Sequence, residues 1–500
     1  MIMEYIKKTI CLLLICLLLF VMASCGSAPQ ESETVPAPAA ADDTEKETKT
    51  EQPAETDTAH KWEPQLSDED KAIIAELGTL THHTKVTEDT LTWSFDVPSG
   101  ILTISGSGPM KDYSKEDPSP CSEYRDAVTR IVVEEGVTTI GAYAFYNLPQ
   151  CVSAQLPDSV EYIGDYAFSA VYNLADVPFT ANLREIADHA FAGIMGHKAF
   201  VIPEGVEIIG KNAFVTNVFY DTISIPASAY YIEETAFSGS QAVHEFIVDE
   251  NNPNYTAVDG VLFSKDLSLL INYPVYKEES HYDIPDTVTR IGDKAIMLNC
   301  FLKTLTIPAS VNEVGEDFIR DNVYMEEYIV DENCPVLTDV DGVLYSKDMK
   351  ILYDYPCHKV ADEYTVPASV ETINTGCFSC CKTLEKLYVP GTVKTVQRTA
   401  FGQFFGELYL AKDFINVEIG NDALWSETTD YGFDYFEDLK YTPPAQRDPE
   451  EAPLYFTSTH IDAMTVFYEG TQGEWDAFVE RSGSYLGDTV VICDTPFPKA

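Results

Sequence analysis

The sequence predicts a mainly β protein: a solenoid of 23-residue units with a parallel sheet, interrupted by β-hairpin inserts and closed by non-repeat caps. Three observations predict it. A phrase close to I-G-x-x-A-F returns at a fixed interval. Pro and Gly recur inside each unit too closely for a long helix. Short alternating runs, such as Leu305-Thr306-Ile307 and Leu387-Tyr388-Val389, turn one face inward and one outward, as a strand does.

The elements follow in chain order. Lys7 and Lys8 precede an apolar run from Ile10 to Ala23. That run is too short to span a bilayer and reads as a secretory signal peptide over 1–24. Met22-Ala23-Ser24-Cys25 resembles the bacterial lipobox, with Met22 where Leu is usual. The resemblance implies that Cys25 is lipidated and becomes the new N-terminus, holding the protein outside the cytoplasmic membrane. Ordinary cleavage with a free thiol is the other reading. Residues 25–66 are rich in Pro, Ala, Glu and Thr, and cannot bury enough surface to offset their ordering entropy, so they form a disordered acidic tether. Within 67–85, Ser67 as N-cap and Gly78 as stop delimit a short helix. Residues 86–135 leave the period, are strand-rich, and form an N-terminal β cap.

The solenoid occupies 136–402. Its units are marked by Ile140, Ile163, Ile186, Ile209, Ile232, Ile291, Val314, Ile373 and Val396, at intervals of 23 with two of 59. Each long interval holds the same insert: "FIVDENNPNYTAVDGVLFSKD" from Phe246 and "YIVDENCPVLTDVDGVLYSKD" from Tyr328, 82 residues apart. Apolar stretches bounded by turn formers make these inserts, about 246–281 and 328–363, small β-hairpins. A Pro usually stands six residues before the marker and ends ladder pairing; an apolar residue stands three before. About six large apolar side chains per unit contribute about 10–15 kcal/mol. Ordering the unit costs about 1–2 kcal/mol per residue. A unit cannot stand alone and must complete its interior with its neighbours, through internal ladders of Ile, Ala and Phe. Residues 403–500 form a C-terminal β-rich cap, since a solenoid's ends would otherwise expose its core.

"VPASVETINTGCFSCCKTL" closely resembles the repeat of the BspA-like leucine-rich-repeat family of bacterial surface proteins. Cys381 and Leu384 take the family's Cys and Leu positions, and Cys377 replaces its Ala. "LTWSFDVPSGILTISGSGPMKDY" is similar to the family's N-terminal β segment, and "TVFYEGTQGEWDAF" to its C-terminal element. Ala295-Ile296 and Phe318-Ile319 depart from the Ala-Phe pair. The resemblance covers roughly residues 90 to 490. It implies a curved leucine-rich-repeat-type solenoid at the cell surface, used for adhesion or for protein and glycan contacts.

Composition narrows the function. With 81 acidic and 32 basic residues, the chain carries a net charge of −49, which argues against nucleic acid as a partner. A neutral or cationic partner, or Ca²⁺, is compatible with that charge, which also keeps an exposed protein soluble. The nine cysteines beyond Cys25 are odd in number and irregularly spaced, unlike a disulfide framework. H-E-x-x-H, G-x-S-x-G, P-loop and G-x-G-x-x-G motifs are absent. "CFSCC" contains C-x-x-C without a second pair, and the repeat explains Cys377 and Cys381 as core residues. Asp249, Asn251, Asn252 and Asp259 could hold Ca²⁺, but the second copy puts Cys334 at the place of Asn252, which favours turn chemistry. His82 and His83 read as surface residues. No catalytic residue, cofactor or metal ligand is assigned.

One pattern points to binding. Outward strand positions two and four before the Pro form a strip of small, hydroxylated and aromatic residues that is nearly neutral in a strongly acidic chain. Its candidate ligand residues are Thr222, Ser224, His281, Asp283, Thr304, Thr306, Glu363, Thr365, Lys386 and Tyr388. Thr and Tyr are also simply good strand residues. The expectation is a lipid-anchored, surface-exposed, non-catalytic protein binding a protein or glycan. The alternatives are a glycan- or peptide-hydrolysing protein using aromatics and carboxylates such as "YGFDYFEDLKY", or a structural envelope scaffold.

Overall fold

The computed structural model describes residues 84–420 and 464–498, apart from 89, 176–177, 195–199, 218–220, 241–242, 380, 382, 403, 405 and 483–488. The signal peptide, Cys25, the tether, the Ser67–Gly78 helix, His82, His83 and "YGFDYFEDLKY" lie outside the described residues. Among the described residues the chain is a mainly β solenoid of about 13 coils with parallel sheets.

The N-terminal cap is an antiparallel sheet that turns parallel. Thr84–Glu88, Leu91–Asp96 and Ile101–Gly106 pair antiparallel in that order, with Leu91, Trp93 and Phe95 facing the core. Arg130–Val133 then pairs parallel with Ile101–Gly106, and Ser153–Gln155 pairs parallel with Arg130–Val133 one period on. From there most coils lay down two short strands, one before the Pro and one at the marker residue; among the described residues the coil of Ile186 keeps only the marker strand, and those of Ile291 and Val314 add a third, Ile296–Met297 and Ile319–Arg320.

The marker strands form a parallel ladder, Ile140 against Ile163, Ile186, Ile209 and Ile232 in turn. It resumes after each insert, from Leu270 to Ile291 and Val314, and from Leu352 to Ile373 and Val396. It continues past residue 402: Val396 pairs with Ile419, again 23 residues on. The Pro makes the corner between the two strands. Its carbonyl accepts the N–H of the apolar residue three on (Val160 to Pro157 at 3.1 Å, Val370 to Pro367 at 2.9 Å), which turns that residue fully inward.

The phrase I-G-x-x-A-F has a geometric reason at each place. Gly141 lies so close to the preceding segment that a Cβ would stand 1.9 Å from the Lys111 carbonyl oxygen. The second x is left-handed, with φ of 54° at Tyr143, 56° at Tyr166, 56° at His189 and 53° at Asn212. These residues hold that conformation because their neighbours fix them: the N–H of Tyr143, Tyr166 and His189 donates to a carbonyl of the next coil at 2.8–2.9 Å. The Phe rings stack coil on coil, Phe145, Phe168, Phe191, Phe214 and Phe237, with centroids 5.1 to 5.7 Å apart. A second inner ladder is polar. Asn217 accepts the N–H of Ile194 at 2.8 Å, and Asn322 that of Asn299 at 3.0 Å, so buried backbone donors are satisfied.

The inserts are hairpins, as their sequence predicts. Tyr255–Val258 and Val261–Ser264 pair antiparallel through Asp259-Gly260, and Leu337–Val340 and Val343–Ser346 through Asp341-Gly342. Both residues of each turn are left-handed, with φ of 48° and 76° in the first and 52° and 73° in the second. Such a turn matches the twist of its strands. Each turn docks on the solenoid: Gly260 O accepts the N–H of Phe246 at 2.8 Å, and Gly342 O that of Tyr328 at 2.9 Å. In the first insert the Tyr255 hydroxyl closes the marker ladder, accepting the Ile232 N–H at 2.7 Å where another strand would otherwise stand.

The C-terminal cap is not β throughout. Glu407–Leu410, Thr465–Tyr468 and Val490–Ile492 extend the parallel sheet, but Gln472–Ser482 is an α-helix. Thr471 and Glu474 form its capping box: the Glu474 carboxylate accepts the Thr471 N–H at 2.8 Å, and the Thr471 hydroxyl accepts the Glu474 N–H at 3.3 Å. The helix buries Trp475 and Phe478, the latter edge-on to Phe414, and so covers apolar surface without offering another strand edge.

Candidate ligand face

Alternation decides what the strands before the Pro present. Ile223 and Ile225, Leu305 and Ile307, and Leu387 and Val389 are buried, so the residues between them stand outward. All ten candidate residues occupy such outward places and none is buried.

The structure brings them together in three groups. Thr222 and Ser224 lie on a three-stranded sheet, Thr222 beside Glu245 and Ser224 between Val201 and Ile247. His281, Asp283, Thr304 and Thr306 lie on a second, in rows His281–Thr304–Glu327 and Asp283–Thr306–Ile329. There His281 Nε2 is 2.9 Å from Asp283 Oδ1, and the Thr306 hydroxyl, with His281, holds the Asp283 carboxyl below its ordinary range. Glu363, Thr365, Lys386 and Tyr388 lie on the third, C-terminal sheet. The three are separate sheets, because the docked turns at Gly260 and Gly342 bond to the strands where the first two sheets end.

The third sheet carries two long rows. One runs Glu363, Lys386, Glu407, Thr465, Val490, and alternates charge at its start. The other runs Thr365, Tyr388, Tyr409, Phe467, Ile492. Tyr388 and Tyr409 lie 4.7 Å apart, Tyr409 and Phe467 stack at 4.7 Å and 12°, and Phe497 meets Tyr388 edge-on at 6.3 Å. The Tyr409 hydroxyl donates to Glu407 at 2.8 Å; burial and that carboxylate push its phenol up to about 12. Val490 and Ile492 are half exposed beside the rings.

Counting back from the Pro missed Tyr409, Phe467, Val490 and Ile492, whose strands end without one, and missed Glu245, Glu327 and Glu407 for the same reason. The strip is therefore more acidic than the sequence suggests. The signal that could have found the aromatic members is the alternation in Glu407–Leu410 and Thr465–Tyr468.

The other candidates resolve into structure. Asn252 points inward, its Nδ2 donating to Pro226 O at 2.8 Å and Ala229 O at 2.9 Å; Cys334 takes the same place and its thiol meets Val311 O at 3.4 Å. Cys377 and Cys381 are fully buried. Among the described residues no three His, Cys, Asp or Glu are grouped to hold a metal, and no helix is long and apolar enough to cross a membrane.

A stack of short parallel strands with inner Ile, Phe and Asn ladders and an open outer strand face defines a leucine-rich-repeat solenoid. The chain belongs to the BspA-type leucine rich repeat family, whose model matches in 6 copies over residues 121–255, 276–339 and 354–408, just over half of it. Among solved structures, a leucine-rich repeat protein from Eubacterium ventriosum is 21% identical and covers 68% of this chain and 94% of its own, with a TM-score of 0.50. A leucine rich cell surface protein from Faecalibacterium prausnitzii is 17% identical, covers 79% of this chain and 97% of its own, and has a TM-score of 0.42. No curated protein matches the chain significantly.

Proposed function

We propose that this chain is a non-catalytic binding protein of the bacterial cell surface, tethered through a lipid on Cys25, that holds a protein or glycan partner on its outward strand face. The C-terminal sheet is the centre of that face. One observation carries the reading: the row Thr365, Tyr388, Tyr409, Phe467, Ile492, in register beside a row that opens with Glu363, Lys386 and Glu407. Aromatic anchors flanked by charges are what binding hot spots are made of, because they bury much area at low entropic cost. The repeat sets the rows in line, and the family to which the chain belongs supports a binding role.

The purified chain, screened against matrix proteins and glycans, should retain a partner. Tyr388→Ala with Tyr409→Ala should then weaken binding at least ~10-fold, the scale of a hot-spot loss of about 1–2 kcal/mol. Unchanged affinity in the double variant would remove this face as the site. Mass analysis of the N-terminal peptide checks the anchor, expecting an acylated Cys25 and release of the protein from membranes by Cys25→Ser.

A further inference from the structure

The two inserts are internal copies with the same strands at a constant offset of 82 residues, so each serves as the other's control. At matching buried places Phe246 becomes Tyr328, Asn272 becomes Asp354, Val275 becomes Cys357, Ala295 becomes Cys377 and Asn299 becomes Cys381. With Cys334 in the place of Asn252, the second copy has thus gathered four buried thiols at places where the first has none.

The exchange falls at one joint. In the first copy Asn299 staples its coil to the exit of the insert, its Nδ2 donating to Pro274 O at 3.0 Å and to Lys277 O at 3.3 Å. In the second copy that amide is gone. Cys381 Sγ lies 3.8 Å from Tyr355 O, and Cys357 Sγ reaches across to Ser379 O at 3.1 Å. The Cys381 thiol lies near enough to Cys357 to disfavour its ionised form. Thr383 keeps one strand of the old staple, donating to Lys359 O at 2.7 Å. The two segments cross-bond around both thiols: the Tyr355 N–H donates to Cys377 O at 3.0 Å and the Thr383 hydroxyl also reaches Cys357 O at 3.4 Å, so each thiol contacts the facing segment two residues from the other cysteine. A disulfide needs Cα atoms about 4.4–6.8 Å apart, which neighbouring segments can meet.

We propose that Cys357 and Cys381 are a disulfide-forming pair, whose oxidation puts a covalent link where the first insert has an amide staple. The link closes a loop that contains Ala361–Thr365, the edge strand of the C-terminal sheet. In the reaction each thiol gives up one proton and one electron, the S–S bond forms, and a small-molecule disulfide takes up both electrons and both protons and leaves as two thiols. The thiols are buried, and the nearby Cys381 thiol, together with burial, holds the Cys357 thiol well above its ordinary value. Closure is therefore slow in the intact fold and follows local opening of this joint.

The test uses the purified full chain, incubated with oxidised glutathione in mild urea, or with dithiothreitol. Thiol titration in denaturant should show two fewer thiols after oxidation, and digestion should yield one linked peptide pair containing Cys357 and Cys381. Oxidised protein should melt a few degrees higher, and amides of 361–365 should exchange more slowly. Cys357→Val with Cys381→Asn, which copies the first insert, should lose no thiols and gain no melting temperature on the same treatment. Thiol counts that stay unchanged, or a bond that joins other cysteines, would overturn the proposal; peptide mapping of the wild-type chain decides this even if the double variant folds poorly.

Discussion

Phe191 gives the sharpest test of the stacked-coil interior. Its ring is fully buried, stacks on Phe168 at 5.3 Å and 9° and on Phe214 at 5.7 Å and 3°, and meets Phe179 edge-on at 5.9 Å. Phe191→Ala removes the ring from the middle of the ladder. Core Phe-to-Ala changes cost about 3–5 kcal/mol. Here both stacked neighbours lose a partner, each contact being worth about 0.5–1.5 kcal/mol, which puts the expected loss at the upper end, about 4–5 kcal/mol. Because each coil touches only its neighbours, the damage should be local at first. Urea unfolding should show the loss, and hydrogen exchange should quicken across residues 163–214 before the rest of the solenoid. Phe191→Leu, which keeps most of the volume, should cost about 1–2 kcal/mol. A loss below about 1 kcal/mol in the Ala variant, or exchange that quickens evenly along the chain, would refute the ladder as the source of cohesion.

Three further outcomes follow from single groups. Tyr255→Phe removes the hydroxyl that closes the Ile232 end of the marker ladder, leaves a buried N–H unpaired, and should cost about 1–3 kcal/mol in denaturant melts. Gly342→Ala should cost more than about 1 kcal/mol, since φ is 73° and the added Cβ would stand 2.8 Å from the Glu327 Cβ; a neutral result would mean the hairpin does not dock as described. Asp354 accepts the Tyr328 hydroxyl in the core, and burial, with Asp321 nearby, raises its carboxyl well above the ordinary range. The folded state therefore keeps a proton that the unfolded chain has released. This stabilisation is complete below the unfolded carboxyl value of about 3.9 and is lost as pH climbs toward the raised folded value. Asp354→Asn, the residue of the first insert, should gain stability relative to wild type as pH rises from 4 to 8 in paired thermal melts, and a pH-independent difference would contradict the assignment.

Much of this was legible because a solenoid writes its contacts into its period. Ile163 touches Ile140 and Ile186 at the interval the sequence repeats, so spacing alone names neighbours. The hairpins were legible because Asp-Gly between alternating runs admits few other conformations. Three things were hidden. The left-handed conformation of Tyr143, Tyr166 and His189 is imposed by hydrogen bonds to the next coil, not by any preference of Tyr or His. The C-terminal helix lay beyond the period. The aromatic row was missed where its members come from strands far apart in the chain, Glu407 facing Thr465 at a separation of 58 residues that is no multiple of the period.

By itself the amino-acid sequence determined the coil, the inserts and the alternation of inward and outward residues, because each depends on local geometry and a constant interval. Tertiary structure alone decided which outward residues share a surface. Docked turns at Gly260 and Gly342 divide the strand face, and pairing over long and irregular separations sets Phe467 and Ile492 beside Tyr409. A period reports only contacts that repeat; a binding face is built from those that do not.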